Sequence, residues 1–155
     1  MRNTIDKILG RILIILMSAM VLAILWQIFS RYILNSPSSF TEELARFLFI
    51  WVGILGAAYA SGQQTHLAIN ILHQKLSAGN RLILRIGINV LIMLFSFFIL
   101  VIGGCNLVYV NYDLEQFSAA LNMPLFLVYC VLPISGVLVI YYKINEITNS
   151  KKYLA

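Results

Sequence analysis

Charge is scarce in this sequence. Asp, Glu, Lys and Arg make up 11% of its 155 residues, while 61% are hydrophobic. Soluble domains carry roughly 25% charged and 45–50% apolar residues. A soluble core of this length cannot hide so much apolar surface, so lipid is the expected solvent. Histidine is scarce too: the two in the chain, His66 and His73, both lie outside the apolar runs. That excludes a haem held between membrane helices. The two cysteines, Cys105 and Cys130, form neither a CxxC pair nor a metal-type spacing, and they leave the redox compartment open. The long apolar runs do not alternate with polar residues, which removes a closed β-barrel.

What is present is four apolar segments, about 12–34, 39–62, 86–110 and 122–142. At ~1.5 Å per residue, each is long enough to cross a hydrocarbon core of ~30 Å. The expected fold is an all-α membrane protein, a single domain over residues 1–155 with four transmembrane helices. The basic N-terminus followed by an apolar stretch is like a signal peptide. However, the uncharged run from Ile12 to Ser30 is too long, and no small-x-small site follows it, so it reads as a retained first span. The net charge of +5 comes from basic residues lying between spans. There they set topology and meet anionic headgroups, so nucleic acid is not the implied partner. With both termini and the middle connection in the cytoplasm, nine basic residues fall inside, against Arg31 and Arg46 outside. Both termini are therefore expected in the cytoplasm.

Connections and breaks are also legible. Ser39 and Glu42 have capping-box spacing at the start of the second span. Asn122 is the expected N-cap of the fourth, with Pro124 in its first turn. Pro133 removes the hydrogen bond to the Tyr129 carbonyl and predicts a kink. Between spans two and three, residues 65–77 place Ala68, Ile69, Leu72 and Leu76 on one helical face. His66, Asn70 and His73 fall on the other, the pattern of a short amphipathic helix at the interface. Gly79–Asn80 would end it. The two histidines lack further ligands, so no metal site is expected.

Four ionisable residues stand at one membrane boundary. Arg31 ends the first span, and Glu42, Glu43 and Arg46 open the second; Glu42 and Arg46 are i,i+4 partners. Two readings apply: a site for an ion or acidic substrate, or a charge-balanced cluster that fixes the hairpin or docks a neighbour. An unpaired charge in hydrocarbon costs about 2.5–3.5 kcal/mol on insertion scales, which favours mutual pairing. The same helix carries Gly53, Gly56, Ala57 and Ala60 in small-xxx-small spacing, suited either to packing within the chain or to a second protein. Gln27, Asn89 and Asn106 are candidates for interhelical hydrogen bonds. Cys105 and Cys130 read as buried, inert thiols, with a disulfide between antiparallel third and fourth spans as the alternative.

The succession "WQIFSRYILNSPSSFTEELARFLFIWVGILGAAYA", then "HLAIN", then "LNMPLFLVYCVLPISG" resembles the small membrane subunit of tripartite ATP-independent periplasmic (TRAP) transporters, the DctQ/SiaQ-like family. The resemblance covers Trp26 to about Tyr142. It implies a subunit without cofactor or catalytic activity, in the bacterial inner membrane. Its partner would be a large membrane subunit that holds the substrate and Na⁺ sites. A periplasmic binding protein would deliver an organic anion, typically a sialic acid or C4-dicarboxylate. It also makes Arg31, Glu42, Glu43 and Arg46 candidate subunit-interface residues. Two other classes fit less well. A four-span disulfide/quinone oxidoreductase needs paired reactive cysteines near the outer surface. A self-oligomerising multidrug carrier needs a membrane-embedded glutamate, whereas Glu42 and Glu43 sit at the boundary beside Arg46.

Overall fold

The computed structural model describes residues 2–63 and 78–148, which form helices joined by short connections. The first helix, α1, spans Arg2–Tyr32 and so begins well before the expected Ile12. Its first turn carries Arg2 and Asp6, an i,i+4 ion pair with Nε and Oδ2 3.9 Å apart. Asn35, at φ 50°, turns the chain back.

Helix α2 spans Ser39–Gly62. Its N-cap is Ser38, one residue before the expected Ser39. The Ser38 hydroxyl accepts from the Thr41 N–H at 3.4 Å, and the Thr41 hydroxyl donates to the Ser38 carbonyl at 3.1 Å. This reciprocal pairing replaces the expected capping box and leaves Glu42 free to face Arg46.

The third span runs through α3 (Ala78–Phe95), a π-helical stretch (Ser96–Gly103) and α4 (Gly104–Asp113). Gly79 and Asn80 lie inside α3 and do not break a helix there. The expected amphipathic helix over 65–77, with His66, Asn70 and His73, lies outside the described residues. The fourth span is split into α5 (Leu125–Tyr129) and α6 (Val131–Thr148). Pro124, with ψ 126°, is the N-cap of α5 in place of Asn122, whose φ of 51° belongs to the preceding turn. The split at Cys130 is the expected effect of Pro133. Cys130 N–H still reaches the Phe126 carbonyl at 3.0 Å, but the Ile134 N–H to Cys130 carbonyl bond is stretched to 3.4 Å.

All four spans are long and apolar enough to cross a membrane. They lie in a row: α1 packs along α2, α2 against α6, and α6 against α3 and the π-helical stretch. The spatial order is therefore first, second, fourth, third. The core sits at the middle of the row, where Leu9, Leu55, Val131 and Tyr142 meet Trp51, Ile54 and Tyr59. Trp51 Nε1–H donates to the Val128 carbonyl at 3.1 Å and pins α2 to α5. Between the third and fourth spans the backbones come close. A Cβ on Gly136 would lie 2.8 Å from Leu100 Cβ and Val101 Cγ2, so only glycine fits that crossing unstrained.

Candidate partner-facing surface

The helical period separates α2 into faces with different tasks. Residues Trp51, Leu55 and Tyr59 point into the core, and Ala58 and Ser61 are buried. Glu42, Arg46, Phe49, Gly53, Ala57 and Ala60 form one exposed stripe along the helix. At its head, Arg46 Nη2 lies 3.2 Å from Glu42 Oε1, with both side chains more than half exposed. Below the pair, a Cβ built on Gly53 or Gly56 meets nothing within 4 Å, though Gly56 is half-buried. An apolar trough of about 340 Å³ opens beside this stripe. Gly53, Ala57 and Ser61 line one wall, Ile92 and Phe95 the other, and Val139 of α6 also lines it.

Glu43 belongs elsewhere. Successive helical residues point ~100° apart, so Glu43 diverges from Glu42 and its carboxylate reaches the 114–124 connection. Its Oε2 accepts from the Ala120 N–H at 2.7 Å and the Leu121 N–H at 3.0 Å. Two residues of that connection, Glu115 and Asn122, have positive φ, and Ser118 Oγ also accepts from Leu121. The carboxylate thus closes a turn whose N–H groups lack strand or helix partners. Arg31 has its guanidinium 6.0 Å from the Tyr32 ring centre and no carboxylate within 4.0 Å among the described residues. The expected four-residue cluster is therefore corrected to a Glu42–Arg46 pair, a loop-holding Glu43 and a separate Arg31.

A second polar group, at the opposite end of α2, was not apparent from the sequence. The Tyr142 hydroxyl donates to Asp6 Oδ1 at 2.6 Å. Lys143 is fully buried, with Nζ 3.1 Å from Glu146 Oε2 and 3.3 Å from the Ser61 carbonyl. An Arg2 guanidinium N–H donates to the Gly62 carbonyl. Two cations from two other helices thus satisfy the last carbonyls of α2 and oppose its negative dipole end. The i,i+4 spacing of Arg2 and Asp6 and the i,i+3 spacing of Lys143 and Glu146 were the available signals. Reading both basic residues as topology charges concealed them.

The remaining expected residues are dispersed. Asn89 is buried, whereas Asn106 is exposed. Cys105 is exposed and Cys130 half-buried; both are free thiols. They line one shallow apolar depression with Tyr109 and Pro133.

Fold and surface together define a multi-pass helical membrane protein whose second span presents charged and small residues to its surroundings. The chain belongs to the DctQ component family of tripartite ATP-independent periplasmic transporters, whose family model matches residues 20–151. It is 30% identical to the sialic acid TRAP transporter small permease protein SiaQ of Vibrio cholerae, over 99% of this chain and 87% of that protein. It is 27% identical to the ectoine TRAP transporter small permease protein TeaB of Halomonas elongata, over 99% of this chain and 83% of that one. It is also 39% identical to part of the sialic acid TRAP transporter permease protein SiaT of Haemophilus influenzae, over 45% of this chain and 11% of the longer protein.

Proposed function

We propose that this chain is the small permease subunit of a TRAP transporter in a bacterial inner membrane, where it serves as a scaffold for a large permease subunit. The large subunit holds the substrate and Na⁺ sites. It carries out Na⁺-coupled uptake of an organic anion of the sialic acid or C4-dicarboxylate class, delivered by a periplasmic binding protein. Both termini are cytoplasmic. The scaffold itself catalyses no reaction.

The observation that carries this reading is the exposed Glu42–Arg46 pair at the head of an apolar helix. Arg46 lies about 10 Å along α2 from Ser39, at ~1.5 Å per residue, where a membrane boundary offers charge a poorer solvent than water does. A protein companion is a better one. SiaQ and TeaB, similar along nearly the whole chain, support the small-subunit assignment. The SiaT match supports the pairing, because a stretch similar to this chain lies within a much longer permease. In this arrangement Glu42 and Arg46 face the companion, Glu43 shapes the adjoining loop, and Arg31 anchors the boundary. The small residues of α2 admit the companion's backbone.

The test is co-expression with a large TRAP permease subunit, followed by purification from detergent. The complex is expected to survive. Arg46→Ala should lower its yield severalfold while leaving substrate preference unchanged. Solute transport by the reconstituted chain alone would overturn the proposal, as would an unchanged yield of the Arg46→Ala complex with shifted substrate affinity.

A further inference from the structure

Helix α1 ends the row and packs along α2. Arg11 and Arg31 bracket its uncharged stretch, about 30 Å long at ~1.5 Å per residue, which is the thickness of a hydrocarbon core. The residues before Arg11 therefore stand at the level of the lipid headgroups. That segment is tied down. An Arg2 guanidinium N–H donates to the Gly62 carbonyl, and Asp6 Oδ1 accepts from the Tyr142 hydroxyl at 2.6 Å. Leu9 is buried, and Gly10 lies against the Tyr59 ring. Lys7 and Arg11, i,i+4 neighbours on one helical face, are both exposed. Neither has a carboxylate within 4.0 Å among the described residues.

The same face continues into the membrane. At ~100° per residue, Lys7, Arg11 and Ser18 lie within about 40° of one another around the helix. Met17, Ser18, Val21 and Leu22 line a notch of about 390 Å³ in its surface. Ser18 is ~10 Å along the axis from Arg11, inside the half of the hydrocarbon core that belongs to the same leaflet. One phospholipid spans both levels. A second helix is a poorer match, because close helix contact needs small residues in series. This face instead carries Ile14, Ile15 and Leu22, each 66–67% exposed, around the single Ser18. A flexible acyl chain needs only the notch. The two cations also favour a lipid of net negative charge over a zwitterionic one, whose own ammonium already balances its phosphate.

We infer that this face of α1 is a site for one anionic phospholipid of the phosphatidylglycerol type, with its phosphate at Lys7 and Arg11 and an acyl chain over Ser18. The contacts of Arg2, Asp6, Leu9 and Gly10 hold the backbone beneath the two cations in place for it.

The full chain is reconstituted in phosphatidylcholine vesicles containing a minor share of phosphatidylglycerol and extracted in detergent. Native mass spectrometry then counts the lipids retained on each protein. Phosphatidylglycerol should be enriched severalfold over its share of the vesicle. The double variant Lys7→Gln/Arg11→Gln should lose the enrichment. Ser18→Leu, which fills the notch and leaves both charges, should reduce it severalfold. Arg31→Gln, which removes a cation at the other end of the same helix, should leave it unchanged. Phosphatidylglycerol with a photoreactive acyl chain should label the segment around Ser18 in the wild-type chain, a readout that needs no variant to fold. Absence of enrichment on the wild-type chain overturns the inference. So does an equal loss from Arg31→Gln, the mark of diffuse charge attraction, or an enrichment that Ser18→Leu leaves intact. Labelling confined to other segments also overturns it.

Discussion

Replacing Gly62 with alanine sets two effects of opposite sign against each other at the last residue of α2. Alanine is favoured over glycine in a helix by up to about 1 kcal/mol. Against this, a Cβ at position 62 would lie 2.8 Å from Cε1 and Cζ of Tyr142. The ring cannot easily yield, since Tyr142 is only 3% exposed and its hydroxyl is bonded to Asp6 Oδ1 at 2.6 Å. Swinging it aside forfeits a hydrogen bond to a carboxylate, worth about 1.5–3 kcal/mol. Holding it in place and shifting the helices costs about 1–3 kcal/mol. After the helical gain is subtracted, the net loss is about 1–2 kcal/mol. In a chain of this length that corresponds to a fall of about 2–8 °C in Tm. The assay is thermal unfolding in detergent of four proteins: wild type, Gly62→Ala, Tyr142→Ala and the double variant. With the ring gone, Gly62→Ala should become neutral or stabilising by up to about 1 kcal/mol. An equal penalty in both backgrounds would refute the argument, as would no penalty in the wild type.

Gly136→Ala drives a Cβ to within 2.8 Å of Leu100 Cβ and 3.2 Å of the Val101 backbone nitrogen, atoms with no flexible end to move. It should cost about 3 kcal/mol, whereas Gly53→Ala should stay within about 1 kcal/mol of wild type; equal unfolding midpoints for the two would contradict the crossing described here. Glu43→Ala removes the acceptor for the Ala120 N–H and one of two for the Leu121 N–H, so hydrogen exchange should accelerate severalfold at Ala120, and less at Leu121, which keeps Ser118 Oγ, while helical amides keep their rates. Unchanged exchange at Ala120 would show that the carboxylate does not hold the loop.

What the sequence disclosed and what it withheld divide along physical lines. Lipid requires each span to be a continuous apolar run, so four helices could be read directly. The break at Cys130 was legible because proline has no N–H, whatever its surroundings. The Glu42–Arg46 pair was legible because it lies within one helix. Glu43 was not, because its partners are backbone N–H groups 77 and 78 residues away, freed by a turn whose conformation depends on tertiary structure. Nor was the π-helical stretch, whose residues "SFFILVIG" carry no mark of a wider turn. Lys143 was misread for a related reason. Counting basic residues by loop assumes that helices end where apolar residues do, but α6 continues to Thr148 and draws Lys143 into the protein beside Glu146.

Spatial order is the strongest reason for assigning the α2 stripe to a companion. In a closed four-helix bundle a second helix commonly touches two neighbours and the central core, so a line of small residues could be consumed internally. In this row α2 has α1 on one side and α6 on the other among the described residues. The stripe from Glu42 to Ala60 is exposed between these contacts. Composition alone left internal packing and docking equally available; among the described residues Leu55, Ala58 and Gly62 are buried while Gly53, Ala57 and Ala60 are exposed, so packing between the described helices does not consume these three. A row also has little interior in which to enclose a solute, whereas its broad faces can lie flat against a larger membrane protein. The same residues would serve a self-contained carrier poorly, since Glu42 is already paired with Arg46 and Glu43 is committed to the 118–121 turn.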